Sequence, residues 1–476
     1  MFRRSSLSMN KILKRSSVFV ILLFLIFISL AVADERTDRV DKLFAQWDRP
    51  DSPGCALAII ENGKILYERG YGMANLELNI SISPKSVFYI GSCSKQFTAM
   101  CIALLAKQGK LSVNDDVHKY VPEFPDYGTP ISIQHLIHHT SGLRDYLTLL
   151  EIAGLPFGYF HKDDVLELLA RQKELNFKPG EEFLYSNSGY FLLAIIVERA
   201  SGKSLRQFAE ENIFNPLGMK NSHFHDDYTT IINNRASGYF PEAGGKFKNF
   251  ISTFDCVGSG GLYSTVEDLF LWDQNFYQQK AGDRDLMNLI QTPGTLYNGE
   301  KLNYAFGLTI GSYKGLKTVE HGGALEGYRA NILRFPEQNF SVICLSNLSS
   351  FNPARLCQQG ADIYLADLLK EEKPKAKAKP ATYEAREIIT QTPEQLLEYQ
   401  GDYFSEELGV TFKLVLKEGK LYFAHKNAPK SPLSSTLRDR FSVRGSDLNF
   451  IRDAENKISA FILNAGRVRN LRFNKK

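Results

Sequence analysis

The stretch Gly91-Ser92-Cys93-Ser94-Lys95 places a lysine three residues after a serine. On a helix that spacing sets both side chains on one face, one turn apart. A serine hydroxyl is a poor nucleophile until a neighbour takes its proton. Lysine has an ordinary pKa of about 10.4, so at pH 7 its neutral, basic form lies roughly 4–5 kcal/mol uphill. Burial in a dry cleft, a positive neighbour or a helix N-terminus lowers that cost. The pair can therefore act as a nucleophile and its base. Alone, the pattern is cheap: Ser8 and Lys11 repeat it, and a serine at a helix start is commonly just a cap.

The element that must hold the pair is well marked. Phe97, Met100, Cys101, Leu104 and Leu105 follow an i, i+3, i+4, i+7, i+8 pattern, and Gly109 closes it. This predicts a helix with one apolar stripe and with Ser92 and Lys95 in its first turn. Free backbone N–H groups there can hold a developing oxyanion. Upstream, apolar runs at 56–60 and 65–67 flank Glu61-Asn62-Gly63-Lys64, a hairpin signal. Residues 110–180 read as short helices and loops.

Tyr185-Ser186-Asn187 sits in a loop after Pro179-Gly180, just before an apolar helix from Tyr190 to Ala200 that closes near Gly202. Gly258-Ser259-Gly260-Gly261 reads as a tight turn leading into a helix at Thr265–Phe270. No Lys-Ser/Thr follows it, and no dinucleotide-binding spacing appears. His321-Gly322-Gly323-Ala324 precedes two strands, Ala330–Phe335 and Phe340–Leu345. Asn352-Pro353 then opens a helix running to about Lys370. Early strands, a helical middle and late strands predict an α+β sandwich, with early and late strands paired in one antiparallel sheet.

From Lys370 to Pro380 the composition turns to charge, alanine and proline, as in a solvated linker. Beyond Thr392, strand-like runs at 410–416, 421–423, 448–451, 458–463 and 468–473 predict a small β-barrel or sandwich. The organisation read from the sequence is a leader at 1–33, a main domain at 34–370, a linker at 371–392 and a β-domain at 393–476.

The net charge of +4 over 476 residues is spread along the chain and makes no case for nucleic acid. Arg3, Arg4, Lys11, Lys14 and Arg15 precede an apolar run from Val18 to Leu30, and Ala31-Val32-Ala33 offers a small-x-small cleavage site before Asp34. This predicts an exported protein, periplasmic or secreted, that meets the membrane only if the segment is retained as an anchor. The six cysteines (55, 93, 101, 256, 344 and 357) form no Cys-x-x-Cys pair and read mostly as small core residues, although export permits a bridge. His135, His138 and His139, and separately His223, His225, Asp226 and Asp227, look metal-like. The surrounding residues favour packed or hydrogen-bonded histidines. The reading assigns no metal and no cofactor.

Three polar signals thus stand in order: Ser92-x-x-Lys95, Tyr185-x-Asn187 and His321-x-Gly323. In this the sequence resembles the penicillin-recognising serine hydrolases, the β-lactamases and DD-peptidases, and most of all their class C β-lactamase-like branch of esterases and D-amino-acid peptidases. His139-Thr140-Ser141-Gly142-Leu143, Pro179-Gly180, Asn215-Pro216-Leu217-Gly218-Met219 and Gly260-Gly261-Leu262 extend the resemblance over residues 40–370. It implies a β-lactamase/transpeptidase-like sandwich with a lipocalin-like C-terminal barrel. It implies Ser92 as acyl-forming nucleophile, Lys95 as its proton acceptor or relay, and Tyr185 as base toward Ser92 and acid toward the leaving group. That role requires a phenol pKa lowered by Lys95. Asn187 would bind the substrate amide or orient Lys95, and the backbone N–H groups of Ser92 and Ala324 would hold the oxyanion. His321 stands where many relatives carry a permanently charged lysine, which points away from a true β-lactamase and toward a small peptide, amide or ester as substrate. The other readings are an acyl-accepting sensor with poor turnover and a DD-peptidase or β-lactamase acting on cell-wall peptides or β-lactams.

Overall fold

A computed structural model describes residues 35–155, 160–250, 253–370, 391–424 and 431–476. The predicted leader with its Ser8–Lys11 pair lies outside these residues, as does nearly all of the predicted linker. Along the chain, helix α1 (residues 35–44) precedes strands β1 (Cys55–Glu61) and β2 (Lys64–Tyr71). Helices α2 (Lys95–Lys107), α3 (Tyr146–Ala153), α4 (Asn187–Ser201) and α5 (Val266–Gln278) follow. Then come β3 (Thr309–Tyr313), β4 (Leu316–Leu325), β5 (Tyr328–Phe335), β6 (Phe340–Ser346) and helix α6 (Pro353–Tyr364).

The six strands form one antiparallel sheet in the order β3-β4-β5-β6-β1-β2. The first strand pairs with the last, Cys55 opposite Ser346, so early and late segments close the sheet as predicted. The β1–β2 turn has Asn62 and Gly63 both at positive φ, 51° and 76°, which an Asn-Gly hairpin turn requires. Side chains of β1 alternate between two cores. Ala56, Ala58 and Ile60 face the helical region, while Cys55, Leu57 and Ile59 pack with Val40 and Phe44 of α1 and Leu356 and Cys357 of α6. The sheet is therefore a layer between helices. All six cysteines are buried and free.

Helix α2 departs from the single-stripe expectation. Every residue from Lys95 to Leu105 is buried. It runs through the middle of the fold, where Trp272 of α5 donates from Nε1 to Gln96 Oε1 at 2.6 Å and packs its ring at a tilt, 4.5 Å from that of Phe97. The polar positions opposite the apolar stripe are thus satisfied internally. Helix α5 extends well past Phe270, capped by the Thr265 hydroxyl accepting from Asp268 N at 3.1 Å, and α6 stops at Tyr364, short of Lys370. The His-Gly-Gly segment lies inside β4, where its predicted position was ahead of the strands.

The C-terminal strands are β7 (Gly401–Ser405), β8 (Val410–Lys417), β9 (Lys420–Ala424), β10 (Ser431–Pro432), β11 (Ser434–Leu437), β12 (Arg440–Val443), β13 (Ser446–Arg452), β14 (Ile458–Ala465) and β15 (Val468–Lys475). They form one sheet in the order β10-β9-β8-β7-β15-β14-β13-β12-β11. Its two edge strands are consecutive in sequence, separated only by Leu433, so the sheet rolls into a nearly closed barrel. Tyr403, Phe412, Phe461 and Phe473 fill it, the last two stacked at 4.8 Å.

Candidate active site

Ser92 occupies a 3-10 turn, Gly91–Ser94, that feeds directly into α2 at Lys95. Residues three apart eclipse in a 3-10 turn. Lys95 Nζ accordingly lies 3.1 Å from Ser92 Oγ. The same nitrogen donates to Asn187 Oδ1 at 2.8 Å, at the start of α4, and to the carbonyl of Ser259 at 2.6 Å. Lys95 is fully buried, and burial holds its ammonium well below the ordinary lysine value. Arg467 pushes the same way and Asp145 opposes. A neutral amine has two N–H donors and one lone pair. The two carbonyl acceptors take both donors, which leaves the lone pair for the Ser92 hydroxyl.

Asn187 is held in turn by Asp145, a buried carboxylate at the start of α3 that accepts from Asn187 N at 2.6 Å and Thr148 N at 3.0 Å. Of the two functions expected for Asn187, its side-chain oxygen serves the orientation of Lys95.

Gly323 and Ala324 of β4 run against the Ser92 turn. A Cβ on Gly323 would lie 1.9 Å from Ile90 O, and one on Gly91, which has φ +54°, would lie 2.6 Å from Ala324 N. Only glycine at both places permits this approach. The backbones of Ser92 and Ala324 thus meet on one cleft wall, as an oxyanion pocket needs.

Tyr185 lies beside the pair, its ring 4.8 Å from Lys95 Nζ and lining the same cleft as Ser92. Its pKa runs opposite to expectation. Burial raises it, and the opposing influences are the Ser92 hydrogen bond and the charge of Arg467, not Lys95. Burial outweighs both, so the phenol stays protonated and serves first as a donor. His321 is buried too, and burial pushes it down to about 4. Its Nδ1 carries a hydrogen donated to Gly322 O at 2.6 Å, and its Nε2 accepts from the Tyr304 hydroxyl at 2.9 Å. This imidazole contributes a neutral wall. Ser92, Tyr185, Asn187, His321, Gly323 and Ala324 all line one open cleft of about 650 Å³.

A family model described as Beta-lactamase matches residues 40–361. The chain belongs to the β-lactamase family. It is a serine hydrolase of that family. It is 29% identical to a D-aminopeptidase of Gluconobacter oxydans over 363 residues, which are 72% of this chain and 68% of the relative. It is 31% identical to a D-aminopeptidase of Brucella canis over 297 residues, 62% of this chain and 56% of the relative, and so spans little more than half of that protein. The octameric penicillin-binding protein homologue of Pyrococcus abyssi superposes with a TM-score of 0.62 at 23% identity, covering 92% of this chain and all of its own. That likeness is one of fold, and its reach takes in the C-terminal barrel.

Several groups around this hydrolase's cleft escaped the sequence reading. The Gly258–Gly261 turn is a turn, but it also delivers the Ser259 carbonyl to Lys95, and its hydroxyl meets Tyr146 Oη at 2.9 Å. The three clustered histidines go to three different places. His139 Nδ1 accepts from Ser186 N at 3.1 Å, with its ring 4.2 Å from that of Tyr185. His138 Nδ1 faces Tyr304 O at 3.2 Å, and His135 Nε2 faces Tyr297 Oη at 3.1 Å. His223 and His225 contact each other at 3.3 Å, and Asp226 pairs with Arg206. Among the described residues no group of three or more His, Cys, Asp or Glu is arranged to hold a metal ion.

The largest omission is Arg467. It comes from the turn between β14 and β15, and its guanidinium lies 4.7 Å from the Tyr185 ring centroid on the cleft wall. The barrel is docked to bring it there. Arg144 of the main domain, fully buried, donates from Nε to Arg469 O at 2.9 Å and pairs with Glu407. Asn176 bonds Arg467 O at 3.0 Å and Arg469 N at 2.7 Å. No local motif marks a single arginine in a hairpin turn.

Proposed function

We propose that the protein hydrolyses an amide, peptide or ester bond through an acyl intermediate on Ser92, with a D-amino-acid peptide or amide as the substrate class. The observation that carries this reading is the three-partner setting of Lys95 Nζ, which leaves its lone pair for the Ser92 hydroxyl. Neutral Lys95 takes the Ser92 proton as Oγ attacks the carbonyl carbon. The oxyanion forms between the backbone N–H groups of Ser92 and Ala324. Collapse breaks the bond to the leaving group, which takes a proton from the Tyr185 phenol, and Tyr185 recovers one from the Lys95 ammonium. Water then attacks the ester carbonyl and gives a proton to the same base, which returns it to Ser92 Oγ as the acyl bond breaks. The substrate class rests on the two D-aminopeptidase relatives and on the neutral His321. The basic and apolar leader ending in Ala31-Val32-Ala33 supports action outside the cytoplasm.

A fluorophosphonate probe tests the nucleophile. Mass mapping is expected to find the adduct on Ser92, and Ser92→Ala should abolish it; labelling that survives the substitution contradicts the assignment. A D-amino-acid amide, a D-alanyl-D-alanine peptide, a short-chain ester and a chromogenic cephalosporin assayed side by side test the class, with the D-amino-acid substrates expected to lead.

A further inference from the structure

We propose that Arg467, supplied by the C-terminal barrel, is the carboxylate-binding residue of this cleft, so that the barrel selects ligands with a free carboxylate near the scissile bond. The inference rests on the reading of Ser92 as nucleophile and adds the chemistry of its ligand.

Three features of the cleft carry it. The first is that the other basic groups around the cleft already hold acceptors of the protein itself. Lys95 is buried and directed at Ser92, Asn187 and Ser259. His321 is committed to Gly322 O and the Tyr304 hydroxyl. Arg329, the other cleft-lining arginine, donates through one terminal nitrogen to Tyr328 O at 2.6 Å and Glu326 O at 3.1 Å. The second is that the Arg467 guanidinium, though an ion-pair neighbour of Asp145, hydrogen-bonds to no acceptor among the described residues. Its side chain is 43% exposed, and among the described residues the nearest carboxylate oxygen is Asp145 Oδ2 at 3.8 Å, beyond hydrogen-bond distance. Asp145 is itself satisfied by Asn187 N and by Thr148 N and Oγ1. The third is that Arg467 is held in place without using its donors. Its carbonyl accepts from Asn176 Nδ2, and its guanidinium lies against the Tyr185 ring.

A guanidinium fixed by its backbone and stacked on an aromatic face, with its fork of donors free, suits bidentate binding of a carboxylate. Tyr185 and Ser92 line the same cleft, and Lys95 Nζ stands 4.8 Å from the Tyr185 ring and 3.1 Å from Ser92 Oγ, so a carboxylate on Arg467 would stand close to the reacting bond.

The test measures protection of Ser92 from fluorophosphonate labelling by D-alanyl-D-alanine and by its C-terminal amide. The acid should halve the labelling rate at a concentration about 10- to 100-fold lower than the amide, the scale of one charged hydrogen-bonded pair. Arg467→Gln should bring the two concentrations together, and Arg467→Lys, which keeps the charge and loses the fork, should retain part of the difference. Equal protection by acid and amide in the wild type, or no protection by the acid, overturns the proposal. So does an acid-to-amide ratio that survives Arg467→Gln. A role confined to holding Tyr185 would change the labelling rate and leave that ratio unmoved. Absence of an adduct on Ser92 in the wild type would instead overturn the nucleophile reading, a separate failure.

Discussion

Lys95 and Arg467 stand at nearly equal distances from the Tyr185 ring, 4.8 and 4.7 Å, and their settings are opposite. Lys95 grows from the fold's central helix, is fully buried, and meets two carbonyl oxygens and the Ser92 hydroxyl. Arg467 arrives on a hairpin turn of the barrel, stays 43% exposed, and meets no acceptor at hydrogen-bond distance among the described residues. Burial acts on a lysine by favouring its neutral form, because an amine can release its proton. A guanidinium does not deprotonate in a protein, so it remains a charge. On the proposed reading one cation serves as a base and the other as a binding group, a division that follows from burial and residue type together.

The contrast can be broken most severely at Lys95. Lys95→Ala is expected to lower kcat/KM by about 10²–10⁴, the range of general-base contributions. Lys95→Arg should be nearly as poor, since it restores a charge and not a base. Near-normal turnover of Lys95→Arg would mean that charge, not basicity, is what Ser92 requires. The barrel side is tested through its anchor. Arg144→Ala leaves Glu407 buried without its partner and should destabilise the docked protein by about 3–5 kcal/mol, read as a fall in Tm. It should also weaken the preference for acid over amide that Arg467 confers.

Acid should act on the neutral wall. His321 and His138 are pushed down to about 4 in the folded protein, below the ordinary histidine value of 6.5. Between those values the unfolded chain binds the proton first. Stability is therefore complete above pH 6.5 and is lost as pH falls toward 4, by up to roughly 3 kcal/mol for each such group. Tm measured from pH 7 to 4 should fall, and a flat profile would contradict neutral, buried histidines. The smallest effect is expected for Tyr304→Phe, which removes the donor to His321 Nε2 and should cost about 1 kcal/mol with little change in labelling rate.

How much of this was written locally in the chain differs between the two cations. Ser92 and Lys95 lie three residues apart where a 3-10 turn runs into α2, so their spacing alone put them together. Tyr185-x-Asn187 and His321-x-Gly323 entered through motif order, and the structure brings all three motifs to one cleft. The Asn62-Gly63 turn and the late strands were legible for the same local reason. Burial around α2 was not, because Gln96 and Thr98 look like an exposed face until Trp272 and Gly258 supply their partners. The direction of the Tyr185 shift was missed because it depends on how deeply the fold buries the phenol. Arg467, some 280 residues beyond Tyr185, had no signature, since only the Arg144, Asn176 and Glu407 contacts of the docked barrel bring it there.

The central claim is that Ser92 is activated by a lysine that burial has made neutral. The second-order rate constant of fluorophosphonate labelling at Ser92, measured from pH 5 to 10.5, tests it most directly. Labelling needs the deprotonated amine, so the rate should rise with pH and level off well below 10.5, because burial lowers the Lys95 pKa. A rate that keeps climbing tenfold per pH unit up to pH 10.5 would mean that Lys95 is an ordinary charged lysine, and the account of this site would be wrong.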